Sequence, residues 1–188
     1  MKKNISIALL ILIPIITFSQ KRMGVLSGLN NSSISEGVLG QVSITDKMGF
    51  HLGGFYEFNL TEKIKFKPKL VYSQQGNRDG ESSSIEHIDY KSNYLNIPLN
   101  FKFYESTYIL VGPQIGFLIS EERYSPFIKG ETFDLGLNLG FGQKIKDFFL
   151  ELNFYQGLTK AIDKPNYDGK LVNGTNTLIQ FSVGYYIF

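Results

Sequence analysis

The sequence contains no cysteine. A disulfide framework is therefore excluded, and so is a lipoprotein of the usual form, which needs a lipid-bearing cysteine after its leader. Histidine is scarce, with only His51 and His87, which leaves little material for base catalysis or metal binding. Beyond residue 19 there is no run of about 20 apolar residues of the kind a transmembrane helix needs. Any membrane span must then be made of strands, because only helices and closed barrels satisfy the backbone in lipid. An excess of one charge is missing too. The chain has 19 basic and 17 acidic residues, and Lys2 and Lys3 account for the difference. Nothing here suggests nucleic-acid binding. No linker, low-complexity tract or domain-scale repeat is visible.

The first 19 residues, MKKNISIALLILIPIITFS, place two lysines before an apolar run from Ile5 to Phe18. Thr17 and Ser19 occupy the small-residue positions of a cleavage site. This is the layout of a secretory signal peptide. The apolar run is short for a retained anchor, and Pro14 interrupts it. The expected division is a signal peptide at 1–19 and one exported domain at 20–188.

What the chain has in quantity is alternation. In residues 131–161, Phe133, Leu135, Leu137, Leu139 and Phe141 alternate with Asp134, Gly136, Asn138, Gly140 and Gly142. Then Phe148, Leu150, Leu152 and Phe154 alternate with Glu151, Asn153 and Gly157. A period of two puts each set on its own face of a strand, and 144–147 has room only for a tight turn. The second face carries glycine, asparagine and single charges, too little bulk to coat a soluble surface. An inverted barrel fits better, with the apolar side toward lipid and the polar side toward a narrow lumen.

The same period marks strands near 23–31, 47–60, 64–75, 90–104, 107–120 and 175–188, which with the hairpin makes eight. On the second strand His51, Gly53, Glu57 and Asn59 oppose Phe50, Leu52, Tyr56, Phe58 and Leu60, with Phe55 sharing the polar face. On the third, Lys65, Lys67 and Lys69 oppose Ile64, Phe66, Leu70 and Tyr72. Apolar stripes of about nine residues suit a tilted membrane strand. Connections alternate long and short. The long ones are 32–46, 76–89, 121–130 and 160–174, and the short ones fall near 61–63, 105–106 and 146–147. Outer-membrane barrels have long outer loops and short periplasmic turns. The predicted fold is all-β: an eight-stranded antiparallel up-and-down transmembrane β-barrel.

Aromatics gather near the short-turn ends: Tyr56, Phe58, Phe66, Phe101, Phe103, Tyr104, Tyr108, Phe148, Tyr185, Tyr186 and Phe188. They suggest an interfacial girdle. Pro68, Pro98 and Pro113 fall inside predicted strands, where proline cannot donate to the ladder. Bulges or missing hydrogen bonds are expected there.

YLNIPLNFKFY (94–104), YILVGPQIGFLIS (108–120), DLGLNLGFGQKI (134–145), FFLELNFYQGLTK (148–160) and IQFSVGYYIF (179–188) resemble the PorT-like outer-membrane β-barrel family of Bacteroidetes. The resemblance implies a small, porin-like outer-membrane barrel without a catalytic residue. One namesake of that family acts in protein secretion. The C-terminal stretch resembles the aromatic-ended signal read by barrel-assembly machinery, although the outward set ends at Ile187 and leaves Phe188 on the other parity.

The candidate site is the lumen. Glu57, Lys65, Lys67, Lys69, Lys102, Asp134 and Glu151 are expected to form a polar network that fills the bore, since eight strands enclose just enough room for inner side chains. His51 is expected to hydrogen-bond Glu57 or Asn59. His87 lies in an acidic loop with Asp79, Glu81, Glu86 and Asp89, whose spacing matches no calcium loop. Ser82–Ser84 beside it make a weak nucleophile candidate. No catalytic, cofactor or metal residue is assigned.

The expected function is a non-enzymatic outer-membrane barrel whose outer loops or periplasmic turns serve binding or an envelope or secretion assembly. Its partners would be outer-membrane lipid and, during biogenesis, the barrel-assembly machinery. Two alternatives are a lipid-modifying outer-membrane enzyme, which would need a histidine–serine or histidine–acid pair at the membrane boundary, and a soluble ligand-binding barrel.

Overall fold

The structure, a computed structural model, describes residues 22–36, 47–77, 90–123, 129–165 and 171–187. The expected signal peptide at 1–19, His87 with its acidic loop, Ser82–Ser84 and Phe188 lie outside the described residues. Ten strands follow in order: β1 Arg22–Glu36, β2 Lys47–Asn59, β3 Ile64–Asn77, β4 Tyr90–Phe103, β5 Thr107–Arg123, β6 Lys129–Gly130, β7 Phe133–Ile145, β8 Phe148–Gly157, β9 Ile162–Pro165 and β10 Leu171–Tyr186.

Eight of them close a barrel. Neighbours in the sheet run β1-β2-β3-β4-β5-β7-β8-β10, and β1 pairs with β10 to shut the ring. Every pairing is antiparallel. The remaining two, β6 and β9, fall in stretches whose sequence predicts long connections. They continue the sheet outward from β10, with β9 paired to residues 171–174 and β6 paired to β9. Such short segments offer too few residues for a period of two to be recognised.

The barrel is inverted. Leu135, Leu137, Leu150 and Leu152 are 36%, 56%, 38% and 38% exposed, while Asn138 and Glu151 are 3% and 1% exposed. Along β7 and β8 outward and inward residues alternate without a break until the turn end. The outer surface carries a belt of exposed apolar residues from all eight walls, among them Leu29, Leu52, Leu70, Phe101, Val111, Phe141, Phe154 and Phe181. A soluble ligand-binding barrel, which would put this set inside, is overturned by that orientation.

The short connections and both chain ends of the barrel lie at one rim. Lys146 turns the β7–β8 hairpin with φ 57°, and Tyr104 takes φ 73° after β4, a left-handed backbone uncommon outside glycine. Just inside this rim, outward aromatics touch in sequence: Tyr56–Phe58 at 4.8 Å, Phe58–Phe66 at 6.3 Å and Phe66–Phe101 at 5.5 Å between ring centroids. Phe148 and Tyr185 add a pair at 5.0 Å. Tyr108 and Tyr186, predicted for this girdle, instead face the bore and are buried.

The mid-strand prolines interrupt the ladder as expected. No pairing is made between Tyr56–Glu57 and Lys67–Pro68, between Lys69–Leu70 and Ile97–Pro98, or between Leu99–Asn100 and Gly112–Pro113. The register is unchanged across each gap, so these are missing rungs and not slips. The one shift, at Asn93/Tyr94, lies elsewhere on β4.

Candidate functional site

The lumen is filled from wall to wall. Its apolar part is a layer of Leu26, Phe55, Val71, Phe149 and Tyr186. Phe55, Phe149 and Tyr186 form a triangle of rings, with centroids 5.2, 5.1 and 5.4 Å apart and edge-to-face geometry. Several of the inward rings fit inside so narrow a cylinder because they face a glycine. Phe149 lies directly across from Gly184, Phe55 from Gly24 and Tyr108 from Gly142. A Cβ on Gly184 would sit 2.0 Å from the Phe149 ring, and one on Gly142 would sit 2.2 Å from the Tyr108 ring. Large and small interior residues thus alternate around the bore, as small barrels require.

Two ionic clusters adjoin this layer. In the first, Glu151 on β8 receives Lys67 Nζ at 2.6 Å and Tyr108 OH at 2.8 Å on Oε1, while Lys69 donates to Oε2. All four residues are buried. β3 and β8 stand on opposite sides of the ring, so these contacts span the bore. Lys67 Nζ also lies 4.0 Å from the centroid of Phe149 and 4.4 Å from that of Phe55. Those ring faces supply the electrostatic attraction that a buried ammonium otherwise loses with its water.

In the second cluster, Lys102 Nζ donates to Glu57 Oε2 at 3.2 Å, Tyr186 OH donates to the same oxygen at 3.0 Å, and Lys65 Nζ lies 3.2 Å from Glu57 Oε1. Lys65 also pairs with Glu105 at the rim, which further binds Arg22 and, at 3.3 Å, Lys144. Partial burial would raise the Glu105 carboxyl, but hydrogen bonds from Lys65 and Arg22 and the charges of Lys102 and Lys65 outweigh it and hold the group at about 2.

Six of the seven predicted lumenal residues therefore meet in two clusters. Asp134 does not join them. It is buried on the inner face of β7 but at the opposite end, where it accepts from Asn176 Nδ2 at 2.8 Å and Thr159 Oγ1 at 3.2 Å. Parity in sequence assigns a face, but depth along the axis depends on register.

His51 is lumenal, but neither Glu57 nor Asn59 is its partner. Its Nδ1 lies 2.6 Å from Asn30 Oδ1 and its Nε2 lies 2.8 Å from Ser182 Oγ. Glu57 is six residues along the same strand, about 20 Å away at about 3.3 Å per residue. Ser182 is two strands away across Gly28, and the absent side chain of Gly28 lets the imidazole reach over it. Asn30 Nδ2 donates to Ser73 Oγ and to the Phe50 and Gln74 carbonyls, and Gln180 Nε2 donates to Asn30 Oδ1. Since Asn30 Oδ1 can only accept, His51 donates from Nδ1 and accepts the Ser182 hydroxyl at Nε2. The group ties β1, β2, β3 and β10 together at the seam where the ring closes. Among the described residues no group of three acidic or histidine side chains is arranged to hold a metal.

Residues 18–163 match the family described as outer membrane protein beta-barrel domain. No curated protein matches the sequence. The fold is similar to that of Ail, the attachment invasion locus protein of Yersinia pestis, at 16% identity and TM-score 0.48, covering 89% of this chain and 99% of that one. It is similar to OprG of Pseudomonas aeruginosa at 14% identity and TM-score 0.49, covering 89% and 94%. It is similar to Neisserial surface protein A at 12% identity and TM-score 0.46, covering 88% and 96%.

Proposed function

The chain belongs to the outer membrane protein beta-barrel domain family, and from that premise we propose a non-enzymatic barrel that works through its ends and not through its bore. Its outer loops or periplasmic turns serve binding or an envelope or secretion assembly. Outer-membrane lipid surrounds the apolar belt, and barrel-assembly machinery receives the exported chain after its signal peptide is removed. The strand motifs at 94–104, 108–120 and 134–145 support a place in the PorT-like branch from Bacteroidetes.

One observation carries this reading: the Glu151–Lys67–Lys69 tie across the bore, stacked on the ring triangle of Phe55, Phe149 and Tyr186. A bore closed by both an ion pair and packed rings leaves no open diffusion path for a hydrated solute. Purified protein in planar bilayers is expected to give no large, stable single-channel currents. Long-lived openings of uniform size would overturn the sealed bore.

A second reading rests on the Ser182–His51–Asn30 relay, whose hydrogen-bond order is that of a nucleophile, its base and an orienting group. A hydrolase acting on lipid esters would need Ser182 Oγ to reach a carbonyl carbon, yet Ser182 is 2% exposed and faces the bore. A fluorophosphonate probe applied to the folded protein in detergent is therefore expected to leave Ser182 unlabelled. A stoichiometric adduct on Ser182 in the mass spectrum would favour the enzyme.

A further inference from the structure

A groove of about 500 Å³ crosses the lipid-facing wall over β1, β2 and β3, beside the chain ends. Outward side chains of Met23, Tyr56, Pro68, Leu70 and Ile187 form its sides. Its floor is made of backbone. Gly54 lies on the outward parity of β2, and a Cβ there would meet only Gly24 O, at 3.6 Å. Phe55 and Lys69 send their side chains into the bore and are buried there, so they line the groove with main-chain atoms.

The ladder breaks at that floor. β2 and β3 pair through Phe55 and Lys69 and resume at Phe58 and Phe66, so register sets Tyr56 across from Pro68. Proline has no N–H. The Tyr56 carbonyl directed at it therefore lacks its ladder donor, and among the described residues no other group donates to it. The Lys69 carbonyl, directed at Pro98 on β4, loses its donor in the same way. Proline builds this loss into the chain, whatever the placement of the side chains. In hydrocarbon no water makes up the missing bond, and an unsatisfied main-chain group is costly.

An occupant that suits the groove is apolar along its length and carries hydrogen-bond donors at one end. The groove also reaches the short-turn rim, since Met23 is the second residue of β1. Arg22, one residue nearer the rim, is one-third exposed beside Glu105, and a guanidinium has five N–H donors, more than one carboxylate uses. We infer that the groove holds one ethanolamine phospholipid of the leaflet at that rim. An acyl chain lies over Gly54, the ammonium donates to the Tyr56 carbonyl, and the phosphate faces Arg22. An ammonium brings three N–H donors, whereas a trimethylammonium brings none. A second barrel would meet the groove with its own apolar belt, which supplies no ammonium. This deepens the reading of the belt as lipid-facing and rests on it.

Native mass spectrometry of the barrel released from vesicles tests this. Vesicles of an ethanolamine phospholipid are compared with vesicles of its N-trimethylated counterpart bearing the same acyl chains. The unaltered protein is expected to retain one ethanolamine lipid about tenfold more than the trimethylated one, the effect of one hydrogen bond to a charged group. Gly54→Leu fills the groove and is expected to lose the retained lipid. Pro68→Ala returns an N–H to face Tyr56 and is expected to abolish the preference between the two lipids. Equal retention of both lipids by the unaltered protein overturns the inference, as does undiminished retention by Gly54→Leu or a preference that survives Pro68→Ala. A dimer that Gly54→Leu abolishes gives the groove to a second copy and overturns it too. If Gly54→Leu does not fold, Pro68→Ala decides. A protein that fails to enter vesicles at all refutes the lipid-facing belt itself, which is a separate failure.

Discussion

Glu151→Leu is expected to destabilise the folded barrel by about 3–5 kcal/mol, the range for removing one partner of a buried ion pair. The carboxylate is the shared acceptor of Lys67, Lys69 and Tyr108. Without it two ammonium groups remain inside the bore with no anion on the opposite wall. Lys67 keeps its place over the rings of Phe55 and Phe149, which offsets only part of the loss. Guanidinium unfolding in lipid vesicles, followed by heat-modifiability on gels, measures the difference. The triple variant Lys67→Met, Lys69→Met, Glu151→Leu discriminates charge from shape. It removes both signs together and is expected to recover most of the stability, because well-packed apolar replacements of a buried ion pair are often neutral or better. If Glu151→Leu alone unfolds at the same denaturant concentration as the unaltered protein, the cross-bore tie is not a source of stability.

Gly184→Val is expected to cost at least the roughly 1–3 kcal/mol typical of an overpacked core. The position is extended and needs no unusual backbone, so the effect is steric. A Cβ there would fall 2.0 Å from the Phe149 ring, with two further ring atoms at 2.3 and 2.6 Å. Phe149 cannot retreat, because Phe55, Tyr186 and the Lys67 ammonium hold its other sides. Combining Gly184→Val with Phe149→Leu gives the side chain room. The pair is expected to be more stable than the sum of the two single changes, by about 0.5–3 kcal/mol for residues in contact. Additive costs in the same unfolding assay would mean that ring and glycine are not complementary parts of one packing unit.

Much of this architecture is written in the alternation of single strands. Phe133 to Phe141 against Asp134 to Gly142 fixes which side of β7 meets lipid, and the lysines of β3 do the same for their strand. The outward leucines and the inward Asn138 and Glu151 follow from that pattern alone. Relations between strands are not written there. Phe149 and Tyr108 fall on the polar parity and look out of place until register sets each against a glycine on the neighbouring barrel strand. His51 offers no hint of Ser182, which is 131 positions distant. Asp134 shares a parity with Lys67 and Glu151 but not a depth. The tell-tale was present in DLGLNLGFG, where an inward glycine at every second or fourth place announces that something from the next strand needs the space.

The three missing rungs beside Pro68, Pro98 and Pro113 give the cylinder an uneven hoop strength. The gaps lie at successive joints from β2 to β5, whereas the closing joint between β1 and β10 is paired continuously from Gly24 to Glu36. A hoop with one compliant arc and five continuous joints does not breathe as a circle. Lateral pressure from the bilayer is then expected to flatten it across the proline arc, three of the eight joints, before any of the five continuous ones.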